Sequence, residues 1–287
     1  MTEDLTPFFA DRCWMFVLLA RKANVGVILR RGPTEWWHVT LWDTRQDRFQ
    51  SGQWFRGSMY PDKCDLSPNG ELLVYFVGKH RLREVQLGYN TTWTAVSKPP
   101  YLTALTLYPI GDTWGGQGVF VDDRTVLIAT SSPSFGAKHH PDHPPGPLRV
   151  VEYCSLKKGD KRLDAEPCWL NGWRKVFAPG ETKRFSELRK TGDELTLGRD
   201  VPADYFRPSR RRTLFTLYRQ NGEPVALFEA HWADWDQRGR LVATVGGRVF
   251  AGKLTKNNRL LWRQLAAMQE EQPTRLEAPA WAQHWNR

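Results

Sequence analysis

Cysteine is scarce in this chain, acidic residues are outnumbered, and no apolar run is long. Cys13, Cys64, Cys154 and Cys168 lie far apart with no Cys-x-x-Cys among them. That excludes a disulfide-built scaffold and a paired-thiol zinc site, and it predicts free, mostly buried thiols. The longest apolar stretch near the N-terminus, Cys13 to Ala20, is preceded by Asp4 and Asp11 and followed by Arg21 and Lys22. It is too short to span a bilayer, which needs about 20 residues, and it lacks the basic start of a secretory signal. Met15 to Leu19 therefore reads as a buried strand, and a cytoplasmic protein without a membrane partner is expected. No Gly-x-Ser-x-Gly, Walker A or His-Glu-x-x-His pattern occurs, so nothing in the spacing marks a nucleophile, a phosphate cradle or a cofactor site.

The chain has 287 residues, with 41 Lys and Arg against 31 Asp and Glu, a formal charge of +10, and 14 Trp. Hydrophobic residues at 40% and charged residues at 25% are ordinary for a globular protein and exclude wholesale disorder. The charge favours acidic partners, nucleic acid among them. The densest basic cluster is Arg207-Pro-Ser-Arg-Arg-Arg212, so Arg207, Arg210, Arg211 and Arg212 are the candidate residues for an acidic partner. The competing reading of such a cluster is a solvated turn.

Helical periodicity is nearly absent, except over Leu260 to Glu271, which reads as a short helix near the C-terminus. The rest repeats. Asp65-Leu-Ser-Pro-Asn-Gly70-Glu-Leu-Leu-Val-Tyr and Asp234-Trp-Asp-Gln-Arg-Gly239-Arg-Leu-Val-Ala-Thr share one phrase: a polar turn, a Gly able to take positive φ, then an apolar strand. Shorter versions begin at Asp11 and Asp122, and the spacing of the four gives a period of about 56 residues. Five segments read as strand, turn, strand, beginning near Trp36, Leu82, Leu148, Thr213 and Arg248. Ser131 to Pro147 is Pro-rich and irregular, the kind of insertion that falls on an exposed face.

In these phrases the sequence resembles the WD-repeat and TolB-like β-propeller superfamily; the rhythm covers most of the chain, and the specific match lies at 65–75 and 234–244. The resemblance implies an all-β, five-bladed propeller over residues 1–271, with a Pro- and Trp-containing tail, 272–287, docked on it. A six-bladed propeller and a β-sandwich are the alternatives. Most Trp would then fill the spaces between blades.

Asp65, Asp122 and Asp234 recur at equivalent places and read as structural turn residues, with an acid-based glycosidase-like site as the competing idea. His139-His-Pro-Asp-His143 has metal-ligand residue types but sits in a Pro-rich loop with no framework, so no metal site is expected. Trp114-Gly-Gly-Gln-Gly118 leads into a strand rather than a helix, so it reads as a close backbone approach rather than a phosphate loop. The expected function is a non-enzymatic scaffold that binds another protein within a larger assembly. A nucleic-acid binder using the basic loops and a hydrolase with axial carboxylates are the alternatives.

Overall fold

The computed structural model describes residues 1–131, 138–154, 171–177, 185–200 and 212–285. These form five separate sheets. β1 (Trp14–Leu19), β2 (Val25–Arg31), β3 (Trp36–Asp43) and β4 (Arg48–Arg56) pair in chain order. β5 (Ser58–Met59), β7 (Leu73–Gly78), β8 (Thr92–Ser97) and β9 (Thr106–Pro109) form the second sheet, with β6 (Asp65–Leu66) also on β7. The third is β10 (Gly118–Phe120), β11 (Thr125–Thr130) and β12 (Arg149–Cys154). The fourth runs β13 (Arg174–Phe177), β14 (Phe185–Thr191), β15 (Leu195–Asp200), β16 (Thr213–Arg219) and β17 (Pro224–Ala230). The fifth is β18 (Trp232–Trp235), β19 (Leu241–Val245), β20 (Arg248–Leu254) and β21 (Leu260–Ala267).

The chain is all-β, but it is not a five-bladed propeller. Its sheets hold three to five strands each, none closes on itself, and no ring of equivalent four-stranded blades is present among the described residues. A six-bladed propeller and a two-sheet sandwich fail against the same five unequal sheets. The equivalence breaks most clearly at β11 and β12, which are parallel, Thr125 pairing with Arg149 through to Thr130 with Cys154. Parallel neighbours cannot be joined by a hairpin. The Pro-rich insertion is the crossover between them, and its described part, from residue 138 on, bonds to Leu107 of β9 through the His140 N–H and the His143 carbonyl.

The chain divides into two compact units: residues 1–16 with 168–271, and residues 17–167 with 272–287. In the first unit, the alternating strands β15 and β16 turn Leu197, Phe215 and Leu217 onto Leu241, Ala243, Phe250 and Trp262. Thr2 bonds to Trp262 in both directions, and Thr244 Oγ1 donates to the Met15 carbonyl. In the second, Val74, Val96, Phe120 and Val126 form one core cluster. The tail belongs to this unit: Ala278 and Ala282 are buried with Tyr101, and Lys98 Nζ donates to the carbonyls of Trp281 and His284.

The turn phrase folds as its residues predict. Gly70 and Gly239 have φ of +79° and +69°, and each leads to a buried strand, β7 and β19. Two other expectations are corrected. Leu82–Gln86, expected as a strand, is a one-turn helix, because Leu, Arg, Glu and Gln favour helix and Gly88 at φ +81° ends it. Residues 260–267, expected as helix, form β21: Gly252 opposite Trp262 leaves room for the indole, which is 1% exposed. Trp37, Trp42, Trp93, Trp173 and Trp232 are also buried. Cys13 and Cys64 are buried and form no disulfide, while Cys168 lies outside the described residues. Among the described residues no helix is long and apolar enough to cross a membrane.

Close approach, rather than phosphate binding, accounts for the Gly-rich run. A Cβ on Gly116 (φ +84°) would stand 2.1 Å from the Phe76 ring, and one on Gly118 would stand 2.2 Å from Val74. Gly116→Val is therefore expected to cost about 3 kcal/mol, through overpacking and a strained φ. Gly222→Ala, where φ is +85° but an added Cβ meets nothing, should cost about 1 kcal/mol. Urea denaturation midpoints of the two variants check the difference.

Candidate functional site

The recurrent aspartates have different partners. Asp122 Oδ1 accepts the N–H groups of Arg124 (2.8 Å) and Thr125 (2.7 Å), which holds its carboxyl below the usual range. Asp65 instead reaches beyond its own turn. Its carboxylate accepts the Phe120 N–H at 2.9 Å and pairs with Arg21 at 3.2 Å, while Arg21 also donates to the Phe120 carbonyl. Burial pushes Asp65 up to about 6, against the opposing pull of Arg21 and Phe120. Asp234 accepts from Lys190 Nζ at 2.7 Å and from Trp173 Nε1 at 3.2 Å. Both carboxylates are thus held by internal partners.

The histidine loop is held by stacking. His140 is 8% exposed, lies on the Tyr89 ring at 4.7 Å and bonds through Nε2 to the Leu87 carbonyl. His143 packs beside it, and burial with the neighbouring His140 lowers its pKa. No cluster of metal-ligating side chains occurs among the described residues. Of the basic candidates, Arg207, Arg210 and Arg211 lie outside the described residues. Arg212 pairs with Glu229 at 3.4 Å on the surface and lies over the Phe9 ring at 4.5 Å.

Two features carry more than their sequence signal suggested. One is Trp114, 76% exposed on a loop whose backbone is fixed from both sides. Asp112 Oδ1 accepts the N–H groups of Trp114 (2.7 Å) and Gly115 (3.0 Å), and Ser131 donates to its other oxygen. Lys63 Nζ donates to the carbonyls of Thr113, Trp114 and Gly115 and lies over the Phe76 ring. Burial lowers the Lys63 pKa, against Asp62 and Asp112.

The other is the face of the β13–β17 sheet opposite Leu197, Phe215 and Leu217, buried in its middle at Gly198 and Thr216 and exposed at Arg174 and Leu227. In register, Arg174 pairs with Arg189, Arg189 with Gly198, Gly198 with Thr216, and Thr216 with Leu227. Directly paired residues share a face, so these five make one row across the sheet. Thr191, Thr196 and Tyr218 make the next row. A cavity of about 480 Å³ lies over Arg174, Arg189, Thr196, Tyr218 and Arg219.

No family model matches the chain. No curated protein matches it either. The crystal structure of an uncharacterized protein from Listeria monocytogenes EGD-e is similar at 8% identity and a TM-score of 0.32, over 91% of this chain and 85% of that one.

Sequence reasoning missed both features. The period-2 alternation of Trp173 with Arg174, or Leu217 with Tyr218, gives the facing of a strand but not which strands stand side by side. Trp114 carried no periodic signal at all.

The buried Asp65 sets a pH dependence. A carboxyl raised to about 6 adds stability that is complete below the ordinary carboxylate range and is lost as pH rises through 6. Arg21→Met should cost about 3 kcal/mol at pH 7.5, where it leaves a buried carboxylate unpaired. The loss should shrink at pH 5, where Asp65 takes up a proton. Equal losses in urea midpoint at the two pH values would refute this coupling.

Proposed function

We propose that this chain is a non-catalytic interaction module that docks another protein through the Trp114 loop, as one subunit of a larger assembly. The observation that carries this reading is a large exposed indole on an immobilised backbone. A monomer gains nothing from exposing a Trp at 76%, whereas a partner that covers it gains about 2–3 kcal/mol from the burial. Interface hot spots are enriched in Trp, and a preset loop loses little freedom on binding. Asp112 and Lys63 supply that rigidity by bonding the loop's N–H and carbonyl groups. The aspartates that recur along the chain support the same reading, since Asp65 and Asp234 are held in internal ion pairs.

Trp114→Ala tests the proposal. The tagged chain and the variant are purified side by side under gentle conditions, and the affinity of the recovered partner is then measured by calorimetry. The variant should bind at least 30-fold more weakly, about 2 kcal/mol, with its melting temperature within about 1 °C of the parent. Undiminished affinity would remove Trp114 from the interface.

A further inference from the structure

We infer that the connection between β7 and β8 docks the protein on an anionic bilayer surface, its apolar side chains at the acyl boundary and its arginines among the headgroup phosphates. The connection runs from Lys79 to Thr91, and its tip is the one-turn helix Leu82–Gln86. Leu82 is 72% exposed, Leu87 52% and Val85 42%. Leu82 and Val85, three apart, share a helix face, and Leu87 closes the turn by donating its N–H to the Arg83 carbonyl. Exposed apolar side chains grouped this closely mark a contact surface.

The charge around the tip selects the surface that covers it. Arg81 and Arg83 flank Leu82 and are exposed, His80 is exposed, and Lys79 lies at the base, over the Phe55 ring at 5.3 Å. Glu84 is the sole acid from Lys79 to Thr91, and its Oε2 is buried. The tip therefore presents apolar and cationic groups together, which fits acyl chains lying beneath anionic headgroups. A protein interface takes about 20–30 residues a side, more than this connection holds, whereas a fluid bilayer needs no matching shape. The base of the connection is fixed. The Lys79 N–H donates to the Thr91 carbonyl, and His140 bonds through Nε2 to the Leu87 carbonyl at 3.0 Å. Tyr89 stacks on His140 at 4.7 Å and tilts against Trp93 at 6.0 Å. Asp142, an exposed acid at this base, lies 3.9 Å from His140. A tip anchored in this way loses little freedom on docking. The net charge of +10 adds long-range attraction for an anionic surface. The expectation of no membrane partner rested on the absence of a spanning segment, which surface docking does not require. None of these groups takes part in the Trp114 reading.

Co-sedimentation of the full chain with large unilamellar vesicles, of phosphatidylcholine alone or with 30 mol% phosphatidylserine, tests the inference. At 100 mM KCl the serine-containing vesicles should half-saturate at roughly 0.1–1 mM accessible lipid, and phosphatidylcholine alone should bind about tenfold more weakly or worse. Leu82→Gln with Leu87→Gln, which keeps the charge, should weaken binding to the serine vesicles about tenfold. Arg81→Gln with Arg83→Gln should do so by about as much, and should reduce the loss of binding between 100 and 300 mM KCl. All four positions are exposed, so the melting temperatures of both variants should stay within about 1 °C of the parent. Lys253→Gln with Lys256→Gln, an equal change of charge at exposed positions of the other unit, should leave binding within about twofold. An absence of vesicle binding at 100 mM KCl would overturn the inference and leave the tip to a protein partner. Full affinity in the Leu82/Leu87 variant, or an equal loss in the Lys253/Lys256 variant, would also overturn it, reducing the binding to adsorption by net charge.

Discussion

Within residues 17–167 the arrangement of sheets depends on one buried carboxylate. Asp65 sits on β6, accepts from the backbone of β10 and pairs with Arg21, which follows β1. Three sheets therefore meet at one charge. Desolvation makes that charge costly, so the fold keeps it only because Arg21 and the Phe120 N–H compensate it. The neighbouring turns are joined in the same way, the Asn69 N–H donating to Asp123. In the other unit Asp234 plays the corresponding part with different partners, Lys190 and the Trp173 indole. The repeated phrase is one local motif used twice, with tertiary partners that are not equivalent.

At Trp114 a side chain suited to contact is held still by groups that do not themselves make the contact, Asp112 and Lys63. Preset geometry lowers the ordering cost of binding. The same economy of backbone appears at Gly116 and Gly118, where the absence of a side chain lets the Trp114 loop lie against Phe76 and Val74.

Much of the local structure could be read from the residues. The strand at 15–19, the turns closed by Gly70 and Gly239, and the hairpins at 36–49, 213–225 and 248–260 follow from β-branched runs interrupted by residues that accept positive φ. The misreadings fall on short apolar segments, where periodicity cannot separate strand from helix. Leu82–Gln86 has two apolar residues three apart, and no neighbouring strand takes up its backbone groups, so it coils. Residues 260–267 have a full partner in β20, so they extend. The propeller expectation failed for a related reason. Recurring strand–turn phrases specify sheets, but neither the parallel β11–β12 pair nor the unequal strand numbers are encoded in any one phrase.

The sequence by itself determined that this chain is all-β, basic, poor in cysteine and built from turn-and-strand phrases, because those properties follow from residue identity and spacing within a few positions. Only the tertiary structure decided which strands are neighbours, which aspartates are buried and which Trp remains outside. Those outcomes depend on contacts between residues tens to hundreds of positions apart: Arg21 with Asp65, Lys190 with Asp234, Thr2 with Trp262. Long-range pairing of that kind leaves no local trace, and the Trp114 loop is held by it through Lys63.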